Sequence, residues 1–508
     1  MNTAAPSGDI TDLPAYRLAA ALRARELSCR ELMQATLARI DALNPAHNAI
    51  VSLRDGDALL AEADACDRAI AAEPTPELPR SFLFGLPQAI KDVVPTAGLR
   101  TTFGSPLLAD NVPTTDALMV QRMKAAGCIV IGKTNTPEFG LGSHTFNEVF
   151  GATRNAFDAT KSAGGSSGGA AVALATRMLA VADGSDSMGS LRNPAGWNNV
   201  FGFRPSQGRV PAWPAQDAWV TQFATEGPMA RTVLDLALLL DVQAGYDPRA
   251  PLSLASEPSF ASRLESNADA PTARPARIGW LGDLGGYLAM EPGVLDTCER
   301  ALARLSGAGA KVEPIPLGFA PERLWDAWLT WRWWLVNGRI APFLEKPENR
   351  ARIKPEALWE HDQGARLTAA QVMTASVERT AFHQHVLGLF DRVDFLALPS
   401  AQVWPFPVEE RWPKEIAGRA MDTYHRWMEV VVIATFAGLP AVSVPAGFSS
   451  SGLPMGLQLI GPPRGDLGLL RLAGRYEEAA EELLSIRPCG AHQATMTSAT
   501  PQRQDLSR

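Results

Sequence analysis

The sequence predicts an α/β protein: a single large α/β/α layered domain with a mixed, largely parallel central sheet flanked by helices. Residues 114–134 look like one helix–strand unit, in which Gly127 ends the helix and the short apolar strand 128–131 follows. Further short apolar strands are expected at 395–398 and 441–445. Repeated units of this kind are typical of helices layered on a sheet.

The composition is typical of a soluble globular protein with a substantial core, because 46% of the 508 residues are hydrophobic and 20% are charged. The formal net charge is −7 and no long basic run occurs, which argues against nucleic acid as a partner. The apolar run Ala170–Ala182 is interrupted by Arg177 and is shorter than the ~20 residues that span a bilayer. We therefore expect no membrane partner.

The five cysteines are scattered, odd in number and without C-x-x-C spacing. This pattern argues against a zinc site or a disulfide framework and favours a reducing compartment. The first twelve residues lack the basic start and apolar core of a secretory signal. We expect a cytoplasmic protein with neither a metal nor a cofactor.

The N-terminal part is predicted to be helical. Apolar residues recur at roughly helical spacing within 11–49, and Ser28 with Glu31 three positions later suits a capping box. Residues 56–71 are a further Ala-rich helix. The Pro-rich link 74–79 then leads into a short apolar strand.

Two serines lie in glycine-rich turns around a predicted core helix. Gly164–Gly169 is a GGSSGG turn that holds Ser166, and its glycines can take backbone angles barred to other residues. The run Ala170–Ala182 is predicted to be buried, because a helix that is apolar on every side belongs inside a large protein. Ser190 lies in a second turn beyond the far end of that run. We interpret this arrangement as a catalytic centre.

These turns resemble the fingerprint of the amidase signature family, serine hydrolases with a GGSSGG turn followed by a D-x-G-G-S-[IL]-R-x-P turn. Other stretches that resemble family motifs, in the same order, are Gly85–Asp92, Gly132–Phe139, Phe201–Ser206, Gly227–Thr232, Gly438–Ala441 and Gly452–Gln458. The resemblance covers roughly residues 11–250 and 390–465. It implies a serine–serine–lysine triad whose lysine ends an upstream apolar strand, the position of Lys91 in this chain.

Lys91 has two explanations at this stage. The lysine could simply pair with the adjacent Asp92. Alternatively, burial lowers the pKa of its ammonium group, so that the neutral amine can accept a proton near pH 7. The two serine turns favour the second explanation, since a serine hydrolase without a suitable histidine needs another base.

The resemblance implies a role for each residue of the triad. Ser190 would be the nucleophile that attacks an amide or ester carbonyl. Ser166, whose peptide bond is cis in the family, would hydrogen-bond both Ser190 and Lys91. It would pass the proton to the lysine on attack and return one to the leaving amine.

The oxyanion would be held by the backbone N–H groups of Ser187, Met188 and Gly189 and of the nucleophile itself. The family commonly has glycine where this chain has Met188, so the hole requires that a residue with a side chain can adopt the necessary backbone angles. The methionine could also line the acyl site. Asp186 and Arg192 flank the turn with opposite charges and are expected to brace it.

Other motif matches require different surroundings. Gly164–Gly168 satisfies the G-x-S-x-G nucleophile elbow, but that motif needs an apolar strand before it, and 155–163 is polar. Gly127–Thr134 matches the phosphate loop G-x-x-x-x-G-K-[ST], yet its interior is an apolar strand, which favours a structural role. We expect His144 to be a polar loop residue without a catalytic role. Two ordinary glycine turns around a core helix remain the alternative to a catalytic centre.

The later part of the chain is less informative. Trp325, Trp328 and Trp331 are spaced i, i+3, i+6, which favours packing of a helix on the core. The alternative is the wall of a pocket for an aromatic or long acyl group. Residues 418–436 are predicted to be a helix, and the last twenty residues a disordered tail.

The chain is divided into five predicted segments: 1–75, helices packed on the core; 76–255, the amidase signature core with the triad; 256–390, a variable region on the substrate side; 391–485, a return to the core sheet; and 486–508, a polar tail.

We therefore expect an amidase that hydrolyses the C–N bond of a carboxylic amide through an acyl-enzyme on Ser190. The partner would be a small-molecule amide, hydrophobic or aryl, and a homodimer is left open. The first alternative is the glutaminase (A) subunit of a tRNA-dependent amidotransferase, although the tyrosine-rich helical signature usual in such relatives is not found here. An esterase or a carbamate hydrolase of the same family is also open. A non-catalytic binding protein is disfavoured by the intact Lys91, Ser166 and Ser190.

Overall fold

The computed structural model describes residues 9–72, 81–220, 223–266 and 274–488. Within these ranges the α-helices, in chain order, are α1 (Ala15–Ala24), α2 (Cys29–His47), α3 (Gly56–Ala71), α4 (Leu118–Ala125), α5 (Gly168–Ala175), α6 (Arg192–Trp197), α7 (Val233–Gln243), α8 (Phe260–Glu265), α9 (Val294–Gly307), α10 (Pro321–Leu344), α11 (Pro355–Gly364), α12 (Ala369–Phe390), α13 (Val432–Ala437), α14 (Asp466–Ala479) and α15 (Glu481–Ser485). Short 3-10 turns lie at Ile10–Asp12, Pro106–Leu108, Glu138–Gly140, Pro347–Arg352 and Arg426–Val431.

The strands of the same ranges are β1 (Ile50–Val51), β2 (Pro87–Lys91), β3 (Ile129–Thr134), β4 (Phe146–Asn147), β5 (Gly151–Ala152), β6 (Val181–Asp186), β7 (Phe201–Arg204), β8 (Thr225–Ala230), β9 (Arg277–Trp280), β10 (Lys311–Pro314), β11 (Phe395–Pro399), β12 (Glu415–Ile416), β13 (Arg419–Ala420), β14 (Ala441–Phe448) and β15 (Pro454–Ile460).

An eight-stranded sheet in the order β10-β9-β11-β15-β14-β7-β8-β6 forms the centre of the molecule. A smaller sheet, β1-β3-β2, packs beside β6. The predicted fold class, a layered α/β domain with a mixed sheet flanked by helices, is confirmed. Parallel pairing in the large sheet is confined to β9 with its neighbours β10 and β11, and the other pairs are antiparallel. The sheet is therefore less parallel than expected, since short connections such as that from β14 to β15 permit only an antiparallel neighbour.

The helix α2 begins where the sequence predicts, and the first α-helix begins at Ala15, four residues after the predicted start of the helical segment. The Ser28 side chain accepts a hydrogen bond from the amide of Glu31, and the Glu31 carboxylate accepts one from the amide of Ser28, which completes the capping box of α2. The first helix is held from outside, because the carboxylate of Asp235 on α7 accepts the amides of Ala15 and Tyr16. This contact ties the N-terminal segment to the core.

The predicted helix Ala170–Ala182 is correct only in its first half. The helix α5 ends at Ala175, Arg177 takes a left-handed backbone conformation with φ +63°, and the strand β6 begins at Val181. Every residue of α5 is buried, as its apolar composition predicted. An apolar run fits a buried strand as well as a buried helix, which is why the sequence pattern did not separate the two. Ser190 consequently follows a strand.

The predicted helix at 418–436 is wrong. The strands β12 and β13 form a hairpin whose turn contains Gly418 with φ +82°, and Arg426–Val431 is a 3-10 turn. Only the last part of the predicted helix, α13, is α-helical. The sequence pattern misleads here because a glycine before an apolar segment also fits a helix boundary, whereas this glycine supplies a hairpin turn.

The tryptophan face of α10 packs into the core. Trp325 and Trp328 are 1% and 0% exposed, and their rings stack with centroids 5.0 Å apart. Trp331 is also buried. The packing interpretation of these three tryptophans therefore holds.

Two predictions lie outside the described residues: the last twenty positions entirely, and the Pro-rich link 74–79. No helix in the ranges that the structure describes is long and apolar enough to cross a bilayer.

Candidate active site

Lys91 is the last residue of β2, and its side chain is fully buried. Its amide lies 3.2 Å from a carboxylate oxygen of Asp183 on β6, to which it donates a hydrogen bond. The neighbouring Asp92 turns elsewhere, because its carboxylate accepts the amides of Thr102 and Gly104. The interpretation of Lys91 as a simple partner of Asp92 is therefore wrong.

The Lys91 amine contacts three serine hydroxyl groups. Its Nζ lies 2.8 Å from Ser166 Oγ, 2.9 Å from Ser167 Oγ and 3.0 Å from Ser185 Oγ. Burial lowers the pKa of Lys91 to about 7. The carboxyl groups that oppose this shift are those of Asp183, Asp186 and Glu226. A neutral amine in this position can accept a proton from a hydroxyl at physiological pH.

Ser166 lies in the tight turn before α5 and is 2% exposed. The Gly165–Ser166 peptide bond is cis, as the resemblance implied. Gly164 has φ +75°, and a Cβ atom there would lie 2.6 Å from the side-chain oxygen of Asn193. That oxygen accepts the amide of Gly165. The turn thus depends on glycine at this position, both for its backbone conformation and for the approach of Asn193.

Ser190 lies in the turn between β6 and α6, which is organised around the buried carboxylate of Asp186. That carboxylate accepts Arg192 Nε at 2.9 Å and also contacts Arg204. Burial alone raises the pKa of Asp186, but the two guanidinium groups together hold it well below its usual range. The expected bracing of the turn by Asp186 and Arg192 is confirmed.

The two serine turns meet through the main chain. The amide of Ser167 lies 3.3 Å from the carbonyl oxygen of Ser190, to which it donates. Ser190 is 5% exposed, so all three predicted triad residues belong to one buried region. The hydrogen bond expected between the hydroxyl groups of Ser166 and Ser190 stays a prediction.

The predicted oxyanion-binding amides differ in their present contacts. The amide of Gly189 donates to Asp186 Oδ1 at 2.8 Å. Ser187, Met188 and Ser190 donate no main-chain hydrogen bond to another residue of the described chain. The left-handed conformation of the turn falls on Gly189, with φ +78°, and not on Met188. The methionine that replaces the family glycine therefore needs no positive φ, and its side chain is buried.

His144 is buried and takes no position beside the three serines that contact Lys91. Its Nδ1 lies 2.8 Å from Ser162 Oγ and its Nε2 lies 2.9 Å from the carbonyl oxygen of Val408. Burial lowers its pKa to about 4, so the ring is neutral at pH 7.

In the described segment 153–163 no strand leads into Gly164, which removes the structural context of the nucleophile elbow. The phosphate-loop match at 127–134 is mostly the buried strand β3.

Sequence reasoning missed four polar groups around Lys91: those of Ser167, Ser185, Asp183 and Glu226. Asp183 and Ser185 could have been found from the pattern of β6, because they alternate toward one face of a strand. Assigning that segment to a helix hid the alternation. Ser167 could have been found as the second serine of the GGSSGG turn before α5. The position of Glu226 near Lys91 depends on the register of β6 with β8, which cannot be read from the sequence.

A cavity of about 560 Å³ lies at the opposite end of α5, next to Ala175, Arg177, Arg231 and Glu477. None of the predicted triad residues lines it. Among the described residues, no group of three or more His, Cys, Asp or Glu side chains is arranged to hold a metal ion.

Comparisons with known proteins place the chain in a family. The Amidase family model matches residues 31–470. The chain is 35% identical to the A subunit of glutamyl-tRNA(Gln) amidotransferase from Thermus thermophilus, with 94% of this chain and 99% of the relative covered. It is 33% identical to an acylamidase of Rhodococcus erythropolis, with 92% and 95% covered. The structure superposes on a bacterial aryl acylamidase of the amidase signature family with a TM-score of 0.84 and 29% identity, covering 94% and 99%.

The chain belongs to the amidase signature family.

Proposed function

We propose that this protein is an amidase that hydrolyses the C–N bond of a carboxylic amide through an acyl-enzyme on Ser190. The observation that carries the proposal is the 2.8 Å contact between the fully buried Lys91 amine and the hydroxyl of Ser166. A buried lysine whose pKa lies near neutrality is suited to general-base catalysis.

In the proposed reaction Ser190 Oγ attacks the carbonyl carbon of the amide. Its proton passes to Ser166 Oγ, while the proton of Ser166 passes to Lys91 Nζ. The tetrahedral intermediate then breaks its C–N bond, and the leaving amine receives a proton back from Lys91 through Ser166. Water repeats the same sequence on the ester, which releases the acid and restores Ser190.

The oxyanion of the intermediate would be bound by main-chain amides of the Ser190 turn. Ser187, Met188 and Ser190 are the better donors, because the amide of Gly189 is already engaged by Asp186. Gly189 remains necessary for the left-handed turn that presents the others. Donors of this kind contribute roughly 3–4 kcal/mol each to transition-state stabilisation.

A small hydrophobic or aryl amide is the proposed substrate. The side chain of Met188 is buried beside the nucleophile, and Val431 lies so close to Gly189 that a Cβ atom there would be 2.8 Å from it. Two apolar side chains therefore pack against the Ser190 turn, whose other side is held by Asp186 and its arginines. The similarity to an acylamidase and to an aryl acylamidase supports the same choice.

The glutaminase subunit of an amidotransferase remains the second candidate, because the Thermus thermophilus relative is similar over nearly its whole length. Against it, this chain has five tyrosines and lacks the tyrosine-rich helical signature expected of such subunits. An esterase or carbamate hydrolase would use the same groups. The homodimer and the cytoplasmic location stay predictions.

The test is fluorophosphonate labelling of the purified protein and of Ser190→Ala, followed by hydrolysis assays with anilides, short acyl amides, glutamine, esters and carbamates. We expect labelling of the wild type only, together with release of aryl amine from an anilide. Equal labelling of both proteins would contradict the assignment of Ser190. Hydrolysis of glutamine alone would favour the glutaminase, and hydrolysis of esters or carbamates alone would contradict the amidase.

A further inference from the structure

Glu226 is a half-buried carboxylic acid on β8 that the proposed reaction does not use. The strands β6 and β8 are antiparallel, with Ser185 directly opposite Glu226 and Asp183 directly opposite Pro228. Residues directly opposite each other in an antiparallel pair project to the same face of the sheet. The Glu226 side chain therefore projects to the face on which Ser185 meets Lys91.

The Lys91 side chain and its main-chain amide both contact residues on this face of the sheet. Ser185 Oγ lies 3.0 Å from Lys91 Nζ, and the carboxylate of Asp183, two residues earlier on the same face of β6, accepts the amide of Lys91. Glu226 is the neighbour of Ser185 across the strand pair. Its carboxyl group is thus on the sheet side of the lysine, whereas Ser166 contacts the lysine from the turn before α5.

Glu226 differs from the other two carboxyl groups that act on Lys91. Asp186 is neutralised by Arg192 and Arg204. Asp183 is occupied by the main chain of the lysine. The carboxyl group of Glu226 forms neither an ion pair nor a side-chain hydrogen bond with another residue in the described part of the chain. Its ionised form is therefore paired with none of these residues, and its charge acts on Lys91.

We propose that Glu226 is a positioning residue of this hydrolase: its carboxyl group faces Lys91 beside Ser185 and stabilises the ammonium group that forms when Ser166 passes its proton to the lysine. The proposal rests on the proposed function. The proton that reaches Lys91 comes from Ser190 through Ser166, and Glu226 neither gives nor takes a proton in this step. Its contribution is the charge it places beside the new cation.

The electrostatics of the site support this arrangement. Burial and the charge of Asp183 together raise the pKa of Glu226, whereas Lys91 lowers it, and the balance lies at about 8. The carboxyl group is therefore ionised in a fraction of the molecules at pH 7 and in most of them above pH 8, and it acts on Lys91 through this ionised form. The lysine and the glutamate each favour the charged form of the other. The remaining charged groups of this region are Asp183 and Asp186 on β6, Lys133 on β3, which acts on Asp183, and the two arginines that hold Asp186.

The decisive measurement is a direct titration of the Lys91 amine by NMR of protein labelled with ¹³C at lysine Cε, with the signal assigned by its loss in Lys91→Met. In Glu226→Gln, which keeps the shape and removes the charge, we expect the pKa of Lys91 to fall by about one unit. Glu226→Asp keeps the charge and should lie between the two proteins. This readout does not depend on whether the protein hydrolyses an amide.

Glu477→Gln is the matched control. Glu477 is also half-buried and its pKa is also raised, to about 7, by burial. Its carboxylate accepts the amide of Val233, and it is not among the carboxyl groups that act on Lys91. We expect the titration of Lys91 to be unchanged in this variant.

Kinetics on an anilide complete the test. Glu226→Gln should move the acid limb of the kcat/KM profile to lower pH by the same amount as the lysine pKa, because the neutral amine is the active form. Circular dichroism and the unfolding midpoint monitor folding of each variant. An unchanged Lys91 pKa in folded Glu226→Gln and Glu226→Asp would overturn the proposal. A lowered pKa in a protein that hydrolyses no amide would uphold the coupling and overturn the proposed function instead.

Discussion

Arg192 and Asp186 form an ion pair in which both side chains are fully buried, with Arg192 Nε 2.9 Å from Asp186 Oδ2. The same guanidinium donates to the carbonyl oxygen of Val431 and to Thr435 Oγ1. The pair therefore closes the Ser190 turn and also joins it to the C-terminal part of the chain.

Arg192→Gln should lower the free energy of unfolding by about 3–5 kcal/mol, because it leaves the buried Asp186 with Arg204 alone. Urea unfolding at pH 7 measures this loss. The pKa of Asp186 is lowered in the folded state, so its contribution is fully present above its unfolded pKa of about 3.9 and declines only below it. Arg249→Gln, which breaks the more exposed pair with Asp247, should cost less than about 1 kcal/mol. Equal losses in both variants would contradict the structural role of the buried pair.

Lys91→Met should reduce kcat by about 10²–10⁴-fold, since it removes the proposed base. In the wild type, kcat/KM should fall as the pH drops below about 7, where burial no longer keeps the amine neutral. Steady-state assays across pH 5–9 provide the measurement. Lys133→Met is the comparison, because Lys133 is equally buried but donates to Val94 and Thr96. The acid limb of the kcat/KM profile should lie at the same pH in Lys133→Met as in the wild type, even if the variant is less stable. A wild-type rate that is flat from pH 5 to 9 would exclude Lys91 as the base.

Gly189→Ala should abolish fluorophosphonate labelling of Ser190. The residue has φ +78°, and an added Cβ would lie 2.8 Å from Val431. Gly452→Ala is matched in conformation, with φ +80°, but its added Cβ meets nothing within 4 Å. Both variants should lose about 1 kcal/mol from the left-handed conformation, and only the first should lose labelling. Adding Val431→Ala to Gly189→Ala should restore part of it. Normal labelling of Gly189→Ala would show that the turn tolerates displacement.

Trp328→Ala should cost about 3–5 kcal/mol of stability and leave KM for an anilide within about twofold. The reason is that Trp328 is fully buried in the core, where its ring stacks on Trp325. Trp219→Ala, at a residue that is 67% exposed, should change stability by no more than about 0.5 kcal/mol. A KM raised tenfold in Trp328→Ala without loss of stability would instead identify the ring as a substrate contact.

Stability should decline as the pH falls from about 6.5 to about 4, in part because His144 is buried in its neutral form. Its folded pKa of about 4 lies below the unfolded value of about 6.5. The unfolded chain therefore binds the proton first as the pH falls, which stabilises the unfolded state relative to the folded state. Once the histidine is protonated in both states, the free energy of unfolding is lower by about 3 kcal/mol. Thermal unfolding of His144→Gln across this range should show a flatter decline than the wild type. Identical slopes would mean that His144 is not the group responsible.

The features predictable from sequence are those with local causes. Ser28 and Glu31 lie three positions apart, so their mutual capping needs no other part of the chain. The glycine turn around Ser166 and the apolar strand that ends at Lys91 carry their own patterns. The resemblance to a family then related these separate segments, and the 2.8 Å contact of Lys91 with Ser166 agrees with it.

The features that sequence did not provide depend on long-range pairing. Glu226 is placed on the face of Ser185 by the register of β6 with β8. The segment that becomes β6 is apolar enough for either a helix or a strand. It forms a strand because it pairs with β8 along its whole length. Residues 418–436 are a second case, because β12 pairs with β13 across a turn that contains Gly418.

The position of β15 constrains how the protein can be made. This strand is the last to be translated, yet it lies between β11 and β14 in the middle of the large sheet. Its Gln458 also accepts a hydrogen bond from Arg192. A nascent chain that ends before Pro454 has the flanking strands with open edges and an incompletely held Ser190 turn. Such edges can pair with other chains, so the nascent protein is most exposed to association before residues 454–460 have been synthesised.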